Sequence, residues 1–217
     1  MAVVHDWLTG MRGGESALEH ILTLVPDSQL FTLMHASGSV SAQIESHRPR
    51  HTFVQYLPYS RTHYRNYLPI FPAAIEQLDL DDYDIVISTS HCAAKAAIPT
   101  GKARHLCYCF TPMRYAWDQF DAYFGVEQVG RWQSSLYRRA MEQLARWDKS
   151  TAGRVDRYVA ISQYVAGRIV RYYNRKADVI YPPVDTSFYR PGGSKSRGYF
   201  VVVSALVPYK RVDMAID

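Results

Sequence analysis

Cysteine is scarce. The chain of 217 residues has three, Cys92, Cys107 and Cys109. An odd number without framework spacing excludes a disulfide-stapled scaffold and points to a reducing compartment, the cytoplasm. Cys107 and Cys109 sit two apart, on one face of a strand, and read as core thiols. No other Cys or His stands at a spacing that would complete a zinc site, and no metal is expected. No apolar run approaches the roughly 18 residues of a membrane-spanning helix. The N-terminal Met1-Ala2-Val3-Val4-His5-Asp6 has neither the charged lead nor the apolar core of a secretory signal. G-x-G-x-x-G and G-x-x-x-x-G-K-[ST] are missing, so dinucleotide and P-loop readings are poor. G-x-S-x-G and H-E-x-x-H are missing too, which leaves covalent acyl chemistry and metal hydrolysis without a motif.

Hydrophobic residues make up 47% of the chain, enough for an ordinary core. The net charge of +5 is unevenly spread. Between Arg131 and Lys176 there are eleven Lys or Arg, opposed only by Glu142, Asp148 and Asp156. A second basic group, Arg48, Arg50, Arg61 and Arg65, is interleaved with Tyr56, Tyr59, Tyr64, Tyr67 and Phe71. Cations mixed with aromatics suit an anionic membrane surface or a phosphorylated lipid. Nucleic acid is a weaker reading and is not expected as a partner. The plain alternative is a solvated helix face.

Hydrophobic periodicity predicts alternating strands and helices. Strands are expected at residues 2–5, 29–34, 52–57, 84–89, 105–110, 157–161 and 178–181. An amphipathic helix follows Gly13, with Ala17, Leu18, Ile21, Leu22 and Val25 on its face. Residues 61–78 read as helix broken by Pro69 and Pro72. A long helix spans 132–149, with a stripe of Leu136, Tyr137, Ala140, Met141 and Leu144. Ser162 stands where an N-cap belongs, ahead of a helix carrying Val165, Ile169 and Tyr172. This pattern predicts an α/β fold, a Rossmann-like parallel sheet with helices on both faces. Residues 1–190 form that domain. Residues 191–198, rich in Gly and Ser, read as a linker. Residues 199–217 read as a strand, a loop and the first turns of a helix, the start of an incomplete second domain.

Ligands of open α/β sheets bind at the carboxyl ends of strands, so the residues there carry the functional expectation. His5-Asp6-Trp7 ends the first strand; His5 and Asp6 suit a sugar hydroxyl or a proton transfer, or else a cap or core role. His91 follows Ser88-Thr89-Ser90, with a structural role as its alternative. Thr111-Pro112 stops the strand at 105–110 and places Arg114, Tyr115, Trp117 and Asp118 at its end. Arginine suits an anion, and the aromatics suit a sugar or lipid face. The plain reading is a buried loop with a structural Arg–Asp pair. Gly13 and Gly14 open the first helix, where backbone amides can approach a phosphate; a simple turn with Glu15 at the helix start is the alternative. Lys210 and Arg211 suit a diphosphate, or an exposed basic loop.

Five stretches taken together resemble one family. They are His5-Asp6-Trp7-Leu8-Thr9-Gly10-Met11-Arg12-Gly13-Gly14-Glu15, Thr111-Pro112-Met113-Arg114-Tyr115-Ala116-Trp117-Asp118, Ala160-Ile161-Ser162, Tyr181-Pro182-Pro183-Val184-Asp185, and Val203-Ser204-Ala205-Leu206-Val207-Pro208-Tyr209-Lys210-Arg211-Val212-Asp213. They resemble family 4 glycosyltransferases of the GT-B fold, most of all bacterial mannosyltransferase-like enzymes of polysaccharide assembly. The resemblance implies two Rossmann-like domains facing across a cleft, and sugar transfer with retention of configuration from a nucleotide-sugar such as GDP-mannose. The acceptor would be a glycan or a lipid-linked glycan. No cofactor or metal is implied.

By position, Gly13, Gly14, Lys210 and Arg211 would meet the donor. His5, Asp6, Trp7, Arg114, Tyr115 and Asp118 would line the acceptor side, with His91 as the catalytic group. The stretch 56–72 would face the inner side of a membrane or a lipid-linked acceptor. Phe110 and Ala205 depart from the family pattern, where a histidine and an arginine are common. The acidic donor motif of the family would lie beyond residue 217, so this chain is expected to be an inactive fragment of the transferase. The rival from another class is a non-catalytic module that binds anionic lipid or a partner.

Overall fold

The computed structural model describes residues 1–192, 198–204 and 212–216. Its centre is one sheet of seven parallel strands: β1 (Ala2–His5), β2 (Gln29–Thr32), β3 (Arg50–His51), β4 (Ile85–Ser90), β5 (Arg104–Cys109), β6 (Arg157–Ala160) and β7 (Ala177–Val179). They lie in the order β3-β2-β1-β4-β5-β6-β7. The chain therefore winds outward from β1 in one direction, then returns to β4 and winds in the other. The crevice beyond the ends of β1 and β4 is the switch point of a doubly wound sheet, the place where such sheets bind ligands. The expected α/β, Rossmann-like parallel fold is the one observed.

Nine α-helices surround the sheet among the described residues: α1 (Gly13–Leu24), α2 (Ala42–Ser46), α3 (Ser60–His63), α4 (Phe71–Glu76), α5 (Arg114–Trp117), α6 (Phe120–Phe124), α7 (Val126–Val129), α8 (Arg131–Ser150) and α9 (Gln163–Tyr173). Side chains alternate between the two faces, as strand geometry requires. Val3 and Leu30 pack with Leu18 and Leu22 of α1, and Tyr108 packs with Ala17 of the same helix. Ala2, Val4, Phe31 and Val86 turn the other way, onto α4 and α8; Cys107 and Cys109 share that face and meet Val165, Ile169 and Tyr173 of α9. Both faces are covered, which is why the strands read as nearly continuous apolar runs. Burying a side chain such as Leu18 or Leu22 contributes about 1.5–3 kcal/mol. The three cysteines are free and buried.

Local chemistry explains most boundaries. The Ser162 hydroxyl accepts the Val165 amide at 3.2 Å and starts α9; Asn174 ends it in the left-handed region at φ 53°. The strand expected at 52–57 is instead the two-residue β3 followed by a 3-10 turn, Phe53–Tyr56. Thr52 causes the switch. Its hydroxyl donates to the Leu33 carbonyl at 2.8 Å and accepts the Val54 amide at 3.3 Å, which caps a turn rather than extending a ladder. Residues 61–78 form α3, a 3-10 stretch over Tyr64–Ile70 that contains Pro69, and α4, with Pro72 in its first turn.

In α8 the buried stripe is Ser134, Met141, Leu144 and Asp148, with Tyr137 packed beside it, whereas Leu136 is 69% exposed. Leu136 lies one residue off that stripe, so it faces outward. Residues 199–204, expected to open a strand, form none and are exposed. The expected helical start beyond 211 is a 3-10 turn, Val212–Ala215. The expected donor contacts Lys210 and Arg211, and the departure at Ala205, lie outside the described residues.

Candidate functional site at the switch point

Parallel pairing sets His5 of β1 beside Thr89 of β4. The next residues along each strand therefore meet at the crevice. Asp6, fully buried, receives four backbone amides of the loop after β4: His91 at 2.6 Å and Cys92 at 2.9 Å on Oδ2, Ala93 at 2.6 Å and Ala94 at 2.7 Å on Oδ1. The His91 ring adds a fifth contact, Nδ1 to Oδ2 at 3.0 Å. Burial alone would raise the Asp6 carboxyl. The charge and hydrogen bonds of His91, with His5 nearby, outweigh it and hold the group at about 2. Asp6 is thus an anion at any ordinary pH, and an anion can only accept. His91 Nδ1 must carry a proton, so Nε2 is the ring's acceptor whenever the imidazole is neutral.

Trp7 completes the setting of His91. It is 2% exposed, and its ring meets the imidazole edge-on at 4.4 Å. The His91 side chain, by contrast, is 19% exposed, while Asp6 and His5 are shut off from solvent. Of the triplet His5-Asp6-Trp7, the structure makes Asp6 and Trp7 supports for His91.

His5 sits on the other side of the crevice. Its Nδ1 meets the Thr89 hydroxyl at 2.7 Å. Its Nε2 is buried with no hydrogen-bond partner among the described residues, and Glu15 Oε1 at 3.9 Å is too far to serve. Glu15 accepts the Arg12 amide at 3.1 Å and so stabilises the start of α1. Burial would raise its carboxyl, but the His5 imidazole, with a backbone amide and the more distant His91, outweighs burial and holds it below its ordinary value. The first-turn amides of α1, those of Gly13 and Gly14, have no acceptor within the helix. A Cβ on Gly14 would stand 3.5 Å from the Phe110 ring and 3.9 Å from His5; one on Gly13 would meet nothing within 4 Å. Phe110 lies between the two halves, 6.4 Å from the ring centres of both His5 and His91.

The loop after β5 is built differently. Thr111-Pro112 ends the strand as expected, and α5 follows. Tyr115 is 3% exposed and packs edge-on against Tyr123 at 4.7 Å, and burial pushes its phenol up. It belongs to the core beneath the cleft. The structural Arg–Asp pair exists, but its arginine is Arg168 of α9, which grips both carboxylate oxygens of Asp118. Arg114 remains part-exposed at the start of α5.

A buried pair missed by sequence reasoning fastens this region. Lys95, 1% exposed, donates to the Asp148 carbonyl at 2.6 Å and the Thr151 hydroxyl at 2.9 Å, and meets Asp148 Oδ1 at 3.1 Å. Asp148 also accepts Trp117 Nε1 at 2.7 Å and the Tyr173 hydroxyl at 2.9 Å. The sequence signal was a lone lysine in Cys92-Ala-Ala-Lys95-Ala-Ala; a cation surrounded by alanines that bury must find a buried partner. Among the described residues no group of three or more His, Cys, Asp or Glu side chains could hold a metal ion.

The family model described as Glycosyltransferase Family 4 matches residues 29–188, well over half of the chain. The protein belongs to glycosyltransferase family 4, and its role is that of a glycosyltransferase. The matched span contains His91, Arg114 and the strand ends that carry them. No curated protein matches the chain.

Proposed function

We propose that this chain is the acceptor-side domain of a transferase that moves a sugar, mannose from GDP-mannose for the branch it resembles, onto a glycan or lipid-linked acceptor with retention of configuration. The observation that carries the reading is His91: a part-exposed imidazole at the switch point, with Nδ1 fixed by a permanently charged, fully buried aspartate. An acceptor hydroxyl in the crevice would donate to Nε2. As its oxygen bonds to the anomeric carbon, the bond to the diphosphate breaks on the same face of the sugar, and the hydroxyl proton passes to His91. Asp6 would stabilise the resulting imidazolium.

The amides of Gly13 and Gly14 at the start of α1 would face the leaving diphosphate, where a helix N-terminus favours negative charge. The unpartnered His5 Nε2 beside them suits a ligand atom arriving between Gly14 and Phe110. Arg114, at the rim, would hold an anionic group of the acceptor. Lys210 and Arg211 complete the donor side in this proposal. Residues 1–190 would then form the acceptor domain, 191–198 a linker, and 199–217 the start of the donor domain.

The protein would work in the cytoplasm, at the inner face of the membrane. No helix among the described residues is long and apolar enough to cross a bilayer, so attachment would be peripheral. Tyr56 and Tyr59 are each 79% exposed and stand among exposed arginines, as a lipid-facing segment requires.

The test is acceptor-dependent release of GDP from GDP-mannose by the full-length protein, with His91→Gln beside it. A loss in kcat of about a hundredfold or more with little change in donor KM is expected. Unchanged turnover would remove His91 from the chemistry. No sugar-dependent release with any acceptor would leave the binding module as the better description.

A further inference from the structure

Helix α8 has a second face that the core does not use. Positions 132, 136, 139, 143 and 146 follow one another at helical spacing and hold Trp132, Leu136, Arg139, Gln143 and Arg146, all exposed. Trp132 is 91% exposed and Leu136 69%. The other three tryptophans are buried or part-buried. The stripe contains no acid. Asp148 is taken by Lys95 on the inner side, and Arg138 leans on Asp121 and the Phe120 ring, away from the stripe. Arg131, Lys149 and one acid, Glu142, flank it, also exposed.

We infer that this outer face of α8 docks on an anionic bilayer, with Trp132 and Leu136 entering the headgroup layer and Arg139 and Arg146 lying over lipid phosphates. The occupant follows from size and charge. Two large apolar side chains in the first two turns, with Val126 of the adjoining α7 also exposed, are few beside the roughly 20–30 residues a side of a stable protein interface. They are enough for interfacial insertion, where tryptophan is the favoured aromatic. The cations further along the same stripe, with Arg131 and Lys149 beside it, match an anionic surface and outnumber Glu142, the exposed carboxylate next to Arg139 and Arg146.

This goes beyond the membrane attachment already proposed by naming a different element. It is read by vesicle binding, without sugar transfer, so its failure is separable from failure of the transferase reading. The full chain is titrated with vesicles of phosphatidylglycerol and phosphatidylcholine in equal parts, and with phosphatidylcholine alone. Sedimentation measures binding and tryptophan fluorescence measures burial. Binding to the anionic vesicles with a blue shift is expected. The shift should vanish in Trp132→Phe while binding persists.

Trp132→Ser/Leu136→Ser should weaken binding on the order of 100-fold, and Arg139→Gln/Arg146→Gln about 30-fold, with most of the remaining salt dependence gone. Both pairs are on the surface, and unchanged far-UV circular dichroism will show that they fold. Wild-type affinity in Trp132→Ser/Leu136→Ser would place docking elsewhere, on the Tyr56–Tyr59 segment for instance, and overturn the inference. Failure of the wild-type chain to bind would overturn it as well. So would concentration-dependent self-association lost in the Trp132 variant without vesicle binding, since it would make the occupant a second copy.

Discussion

The loops after β4 and β5 both reach the crevice, and both are held by a buried carboxylate, but in different ways. Asp6 holds the first through its backbone, taking four consecutive amides and one ring nitrogen within a single turn of chain. Asp148 holds the second through side chains drawn from distant elements: Trp117 from α5, Tyr173 from α9 and Lys95 from the first loop. A backbone clamp fixes where a loop lies whatever its side chains are, and so leaves His91 available for chemistry. A side-chain clamp consumes the functional groups it uses. That is why Trp117 is engaged in structure, as Asp118 is by Arg168, while His91 still opens to solvent.

The largest effect should come from removing the backbone clamp. Asp6→Ala would leave four buried amides without acceptors, at a cost of about 5 kcal/mol or more. Urea unfolding would measure this, and the variant should also lose protection from hydrogen exchange at residues 91–94. A cost below about 1 kcal/mol would mean that the loop finds other acceptors and the contrast fails.

Lys95→Met comes next. It leaves Asp148 buried and unpaired, at about 3–5 kcal/mol. The double variant Lys95→Met/Asp148→Asn should recover much of that loss, since no buried charge remains. If the double variant is as weak as the single, Asp148 acts mainly through Trp117 and Tyr173.

Acid separates the two regions further. His105 on β5 is buried, with Nδ1 donating to the Arg154 carbonyl at 3.2 Å and Nε2 accepting from Ser88 at 2.8 Å. Burial, with a smaller push from nearby Lys95, lowers it from 6.5 to about 4 despite the Arg154 carbonyl and Asp156. Between those values the unfolded chain binds the proton and the folded chain does not. Stability should therefore fall as pH drops from about 6.5 to 4, by up to ~3 kcal/mol. The Asp6 contribution is full above about pH 3.8 and is lost as pH falls from there to about 2. Urea midpoints against pH should show this decline in the wild type and a flatter profile in His105→Gln. Identical profiles would assign the decline to other groups.

The smallest expected change is Ser162→Ala, about 1 kcal/mol. It removes the cap of α9, which carries Arg168 and Tyr173, and should loosen the loop after β5 while leaving exchange at 91–94 unaltered.

What was legible in the sequence is what neighbours along the chain decide. Thr111-Pro112 stops a strand because proline has no amide to pair, and Ser162 starts a helix because its hydroxyl reaches an amide three residues on. Alternation of apolar strands and helices announced a sheet covered on both faces. His91 was legible as a strand-end histidine. Thr52 misled, since its β-branched shape suits a strand while its hydroxyl caps a turn. Leu136 misled because it stands next to Tyr137, and a stripe one column too wide still looks amphipathic.

The sequence by itself determined the elements, most of their ends and the list of polar residues at the strand tips, because these depend on contacts within a few residues. Only the tertiary structure decided that β1 lies beside β4, and with it the contacts about 85 residues apart, Asp6 against the amides of 91–94 and His5 against Thr89; it also decided the pairing of Lys95 with Asp148, 53 residues on. Strand order is set by which arrangement buries both sheet faces and pairs every buried charge at once. No local pattern carries that information, and it is what turns a histidine at a strand end into an imidazole with one nitrogen held and the other open.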